Sequence, residues 1–328
     1  MKFGSNKVIT ILTCSTLGAL ACESPNVESR TFPTTPADGP MPVIGPAPET
    51  YRPTAAGAPR TDIWLGLLVR SGDGLVLQNL SNATDREGYD NQPSFAHDGS
   101  AIHYVSAVDS TQTEVFRYMI ESGAIERVTT TEGVSEFSPT MIPGQNAFSA
   151  IHEIRGKQYL WRYRLEGGEI GAIFSTAEPV GYHAWADEYT VAMFILGSPA
   201  TLQVGNALTG DIRVVAERPG RSIHRIPDSN EISFVRKVSE DEWWIERLNP
   251  QTGDTERLTR TVQGAEDYAW TPEGELLMGK GSVLHRWTVN TGWTEFHDLT
   301  DVGIESVTRL AVSPDGMMIA IVADRSAD

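Results

Sequence analysis

Cysteine is nearly missing from this chain: its 328 residues hold two, Cys14 and Cys22, both near the start. The folded part therefore has no disulfide framework and no thiolate-bound metal. Basic residues are scarce as well, 26 Lys and Arg against 43 Asp and Glu, for a formal net charge of −17. With no Lys/Arg cluster to neutralise phosphates, nucleic acid is excluded as a partner. No apolar run is long enough to span a bilayer; the uncharged stretch Val8–Ala21 is roughly 21 Å as a helix, against the ~20 residues a span needs. Catalytic motifs are missing too. There is no Gly-x-Ser-x-Gly elbow, and His152-Glu153 has no second histidine to complete a zinc motif. Gly274–Gly281 imitates a phosphate loop, but Gly281 stands where Ser or Thr must hold magnesium.

What is present begins with an address. Lys2 and Lys7 precede the short apolar stretch, the arrangement of a secretory signal. Leu17-Gly18-Ala19-Leu20-Ala21-Cys22 resembles the lipobox of bacterial lipoproteins, with Ala19 where leucine is commoner. The resemblance implies a signal peptide over 1–21, lipidation of Cys22 and a stable membrane anchor. Glu23 stands in place of the aspartate that retains such proteins in the inner membrane, which implies an outer-membrane anchor facing the periplasm. Nine of the 19 prolines fall between Pro25 and Pro59. Proline removes amide donors and fixes φ, so residues 22–60 read as the lipidated cysteine and a semi-extended tether.

Beyond residue 60 the chain repeats itself with a period of about 43 residues. One series of turns runs from His97-Asp98-Gly99 to Ser313-Pro314-Asp315-Gly316, each followed by an apolar, strand-like run such as Met318–Val322. A second series, out of phase, places turn glycines at Gly123, Gly168, Gly210, Gly253 and Gly292. Two turns per period imply four antiparallel strands per unit, a propeller blade. Five units run whole from about 90 to about 300; Leu310–Ala323 supplies two further strands and the segment from Asp62 to Leu80 another two. The fold expected is all-β, a six-bladed β-propeller over 61–326, with N- and C-terminal strands sharing one blade.

The segments Pro93–Ile102, Ser313–Ala320, Arg127-Val128-Thr129 and Arg257-Leu258-Thr259 resemble TolB-type propeller repeats. The resemblance implies a periplasmic propeller that binds protein partners. The tether and anchor stand where TolB has an amino-terminal α/β domain.

Residues just before each inner strand, in the loops that enter it, are expected to surround one mouth of the channel. The ligand-binding candidates there are Asp90, Gln92, Glu136, His183, His224, Asp267, Tyr268 and Glu305, flanked by Asn91, Ser135 and Tyr182. Carboxylates in such a funnel suit a divalent cation of the calcium type. The functional expectation is an envelope-anchored, non-catalytic lipoprotein whose propeller binds an envelope protein or a ligand. The alternative is a calcium-dependent propeller hydrolase of the lactonase or phosphotriesterase kind. The charged Asp85–Asp90 loop, tipped by Tyr89, reads as a contact loop.

Overall fold

The computed structural model describes residues 60–324, except 73 and 110. The expected signal peptide, Cys22 and nearly all of the tether lie outside the described residues. Where the chain is described, turns punctuate it at almost every place the sequence marks one, and strands fill the intervals. Strands β1 (Thr61–Ser71) and β2 (Gly74–Asn82) form a hairpin. The first complete blade is β3 (Asp90–Phe95), β4 (Ala101–Ala107), β5 (Thr113–Met119) and β6 (Ile125–Arg127). The second is β7 (Ser135–Met141), β8 (Ala147–Ile154), β9 (Lys157–Arg164) and β10 (Glu169–Ala172). The third is β11 (Val180–Trp185), β12 (Thr190–Ile195), β13 (Thr201–Asn206) and β14 (Ile212–Glu217). The fourth is β15 (Pro219–Arg225), β16 (Ile232–Lys237), β17 (Trp243–Leu248) and β18 (Thr255–Arg260). The fifth is β19 (Tyr268–Trp270), β20 (Leu276–Lys280), β21 (Val283–Thr288) and β22 (Gly292–Asp298). Strands β23 (Val307–Val312) and β24 (Met318–Asp324) end the described chain.

All six sheets are four-stranded and antiparallel, and the last is built from both ends of the propeller in the order β2-β1-β24-β23. Strand β1 pairs with β24 from Thr61↔Asp324 through Leu65↔Ala320 to Leu67↔Met318. The shared blade expected from the sequence is therefore present, with Leu75–Leu80 one strand removed from Ile319–Val322.

The core is divided into six apolar clusters, one between each pair of neighbouring blades. The second strand of each blade is covered on both faces, which explains why its sequence is a nearly unbroken apolar run rather than an alternating one. In β24 the pleat sends Met318, Ala320 and Val322 towards the first blade and Ile319, Ile321 and Ala323 towards the fifth. The turns obey the sequence as well. Gly316 closes Ser313–Gly316 at φ 73°, and a Cβ there would lie 2.9 Å from Pro272 Cδ, so only glycine fits.

Antiparallel alternation fixes the two ends of the ring. The tight turns of both sequence series lie at one end. Inner strands begin at the other, which we call the mouth, together with the longer β4–β5 and β16–β17 loops and the blade-to-blade connections. The chain enters the propeller at the mouth end, where Thr61 bridges Tyr89 and donates its hydroxyl to the Asp90 carbonyl at 2.9 Å. Leu65 is fully buried in the closing blade. Leu65→Ala is expected to cost about 2–5 kcal/mol, read as a lowered midpoint in urea unfolding, with loss of the whole ring in a single transition.

Candidate functional site

Inner strands are irregular where they start. Five of the six carry a register shift near their first residues: Asn91/Ser94, Phe137/Thr140, Val180/Tyr182, Pro219/Ile223 and Val307/Arg309. A bulge re-aims the side chains beside it. Gln92 and Ser138, both at positive φ, occupy two such bulges, and the Gln92 carboxamide oxygen accepts the Ser138 amide at 2.6 Å, tying one inner strand to the next.

Across the ring these positions carry larger groups. Arg309, on the closing blade, reaches the Tyr182 hydroxyl on the third blade at 3.5 Å, with its guanidinium 5.3 Å from the ring centroid. These blades face each other across the channel, so the contact spans the axis. The Arg309 guanidinium also lies 3.6 Å from Asp267 on the approach to the fifth blade. Asp267 in turn accepts from Arg221 Nε at 2.9 Å and from a second guanidinium nitrogen of the same side chain. Arg221 continues to the Thr308 carbonyl at 3.4 Å and to Glu266 at 3.4 Å, and Glu266 pairs with Lys237 at 2.7 Å. Tyr89 faces the same group. Burial raises its phenol above the ordinary range, against the lowering influence of Arg309 and Arg221. Tyrosine, arginine and carboxylate thus meet at the mouth end of the channel, with the charges of both signs paired.

Of the residues expected to line a funnel, Asp267 joins this network and Gln92 ties neighbouring inner strands beside it. Asp90 has no exposed surface and forms a bidentate ion pair with Arg86, Nε to Oδ2 at 2.8 Å and a terminal nitrogen to Oδ1 at 2.7 Å. Burial still holds its carboxyl above the usual aspartate range. The Asp85–Asp90 loop is accordingly held in place by a buried arginine at its centre, with Asp85 and Glu87 exposed. Glu136 is also fully buried, and burial with Glu114 nearby pushes its carboxyl up to about 8. His183 is buried with Nε2 2.7 Å from the Ser149 hydroxyl, and burial brings its imidazole down to about 3. His224, half-buried, sits 2.9 Å from the Ser222 hydroxyl and edge-on to Tyr268, and burial, with Arg309 nearby, brings it down to about 4. Both imidazoles are therefore neutral at physiological pH. Tyr268 is buried and donates to Ser233 at 2.8 Å. Glu305 is exposed at the rim.

The expected convergence of four carboxylates and two imidazoles does not form. Asp90 and Glu136 turn into the protein, and arginines take the centre. Among the described residues, no three His, Cys, Asp or Glu side chains come together as metal ligands. The donor set does not fit the calcium expected for the channel, because the carboxylate at its centre, Asp267, is already engaged by two guanidinium groups. Arg221 and Arg309 stand near the starts of β15 and β23, and their only sequence signal is a basic residue at that position, which a search for cation-binding groups does not select.

The buried pair and the exposed rim residue separate cleanly in a stability measurement. Arg86→Ala leaves Asp90 buried without its partner and is expected to cost about 3–5 kcal/mol in denaturant unfolding, whereas Glu305→Ala leaves the midpoint unchanged.

No protein-family model matches the sequence, and no curated protein matches it. Solved structures do. A TolB structure from Agrobacterium tumefaciens is similar with a TM-score of 0.65 at 15% identity, over 83% of this chain and 100% of that one. TolB from Acinetobacter baumannii is similar with a TM-score of 0.55 at 12% identity, over 81% of this chain and 64% of that one, so the chain spans less than two thirds of that protein. The calcium-binding protein regucalcin from Agrobacterium tumefaciens is similar with a TM-score of 0.51 at 10% identity, over 72% of this chain and 91% of that one. Likeness at such identities speaks to architecture, and TolB and a calcium-binding protein share it. With its ring closed by both ends of the propeller, the chain has the TolB-like six-bladed β-propeller fold.

Proposed function

We propose that the protein is an envelope lipoprotein, lipidated at Cys22, that holds its propeller on the proline-rich tether and binds a protein partner at the mouth without catalysis. The observation that carries this reading is the composition of the mouth: Tyr89, Tyr182, Arg221 and Arg309 gathered on and beside rigid inner strands. Tyrosine and arginine are the side chains that dominate binding energy at protein interfaces, offering large contact area and directional hydrogen bonds from a preorganised position. The net charge of −17 favours a partner with a basic surface.

Chain geometry adds a second support. Thr61, the first residue of β1, lies at the mouth end, against Tyr89 and Asp324. An anchor in the outer membrane would keep the propeller within the tether's reach of that membrane, where the partner would be a membrane protein or another envelope component. The likeness to TolB structures supports the periplasmic setting.

The test is affinity capture from detergent-solubilised envelopes with the intact chain and with Arg309→Ala and Tyr182→Ala, each first shown to be folded. The wild type is expected to retain a specific protein, and each variant to weaken the complex by roughly tenfold or more. Equal capture by all three chains removes the mouth as the surface. Lactone or phosphotriester turnover that disappears with chelator replaces the binding reading with the hydrolase.

A further inference from the structure

The interface between the first and second blades differs from the other five. Its apolar cluster is small, and two fully buried glutamates, Glu114 on β5 and Glu136 on β7, sit beside it. We propose that Glu114 and Glu136 form a buried proton-binding site, joined to the surface by a hydrogen-bonded chain through Tyr163, His152 and Glu169, whose proton holds the neighbouring mouth loops in place. The inference does not depend on the identity, or the existence, of a partner at the mouth.

The hydrogen-bonded chain has two proton arrangements, one for the acid and one for the carboxylate. The Thr129 hydroxyl accepts the Val115 amide at 2.9 Å, so its own proton goes to Glu136 Oε2 at 3.0 Å. On the other side, the Tyr163 hydroxyl lies 2.8 Å from His152 Nδ1 and 3.4 Å from Glu136 Oε1. A phenol has one proton for two neighbours. Burial lowers the His152 imidazole, and the neutral ring can carry its hydrogen on either nitrogen. With the hydrogen on Nε2, Nδ1 accepts from the phenol and Glu136 donates to the phenol oxygen as the acid; with it on Nδ1, the ring donates to the phenol oxygen and the phenol donates to an ionised Glu136.

Glu114 is what favours the acid form. Its Oε1 receives Arg127 at 2.8 Å, the Gln112 carboxamide at 2.6 Å and the Thr131 amide at 3.0 Å. Its Oε2 is buried and has no hydrogen-bond partner. A second negative charge on Glu136 would face a carboxylate already short of donors, both of them fully buried where charge is weakly screened. Burial and Glu114 together raise the Glu136 carboxyl to about 8.

The groups packed around the pair are Glu114 on β5, Arg127 on β6, His152 on β8, Tyr163 on β9 and Glu169 on β10. His103 on β4 lies against Phe148 with both ring nitrogens buried and unpartnered, and burial keeps it neutral. Glu169 Oε1 stands 3.4 Å from His152 Nδ1 with its side chain 41% exposed. Release of the proton is then a sequence of balanced hops. The Glu136 proton passes to the Tyr163 oxygen while the phenol proton passes to His152 Nδ1, and the imidazolium gives one proton to water by way of Glu169. The ring ends neutral and Glu136 ends ionised.

The site is wired to the mouth. Besides Glu114, the Gln112 carboxamide donates to the Thr131 carbonyl at 2.8 Å, and Ser135 ties the Thr113 amide and the Thr111 carbonyl. Ionising Glu136 therefore loosens loops 111–113 and 129–135 together.

Linkage sets the sign: a carboxyl raised in the closed state favours closure below its raised value and loses that advantage as pH rises towards it. The experiment is amide hydrogen exchange on the full chain, corrected for intrinsic rates, between pH 5 and pH 9. In the wild type the opening equilibrium of loops 111–113 and 129–135 is expected to rise by about tenfold per pH unit, levelling near pH 8. Glu136→Gln, which is neutral at every pH, is expected to remove that slope while keeping the loops protected. An unchanged slope in Glu136→Gln overturns the proposal. Should the variant fail to fold, infrared spectra of wild-type protein carrying ¹³C-labelled glutamate decide the matter: one glutamate carboxyl must still be protonated at pH 6.5 and ionise by pH 9, and its absence overturns the proposal equally.

Discussion

The pairing of β1 with β24, from Thr61↔Asp324 to Leu67↔Met318, is the constraint on which the rest of the molecule depends. A propeller blade buries its second strand only if a neighbour covers each face. Without β1, the strand Met318–Asp324 would be an open edge with an apolar sequence, the kind of surface that invites association with other chains. With β1 in place, the closing blade packs against the first blade on one face and the fifth on the other. All six inter-blade clusters are then complete. A closed ring also fixes how far apart the inner strands stand, and so allows Arg309 to meet Tyr182 across the channel.

That geometry divides the polar residues into two populations with different physics. At the mouth, Arg221, Arg309, Asp267 and Glu266 are partly exposed and linked in a chain of opposite charges. Solvent screens such pairs, so they contribute modestly to stability and are available for exchange with a partner's groups. Within the blades, Arg86–Asp90 and Glu114–Glu136 have almost no access to water. There an unpaired charge is expensive, and the protein answers in two ways: a bidentate guanidinium for Asp90, a retained proton for Glu136.

The legible part of the fold was the part written in local chemistry. Turn glycines need positive φ, and Gly123, Gly168, Gly210, Gly253 and Gly292 all adopt it. Second strands buried on both faces read as apolar runs wherever they occur. The candidate site was less legible. Asp90, Glu136 and His183, expected just before the inner strands, lie within β3, β7 and β11, where period-2 alternation and the local bulge decide whether such a residue faces the channel or the neighbouring blade. A bulge of one residue reverses that choice, and nothing in a single sequence marks its position.

The sequence by itself determined the number of blades, their four strands and the sharing of the last blade between both ends of the propeller. Each of these follows from turn chemistry and burial acting over a few residues. Tertiary structure alone decided which polar side chains meet: Arg309 with Tyr182, 127 positions away, and Glu114 with Glu136 across a blade boundary. Those encounters depend on ring closure and on bulge placement, and both are properties of the assembled sheets rather than of any segment of the chain.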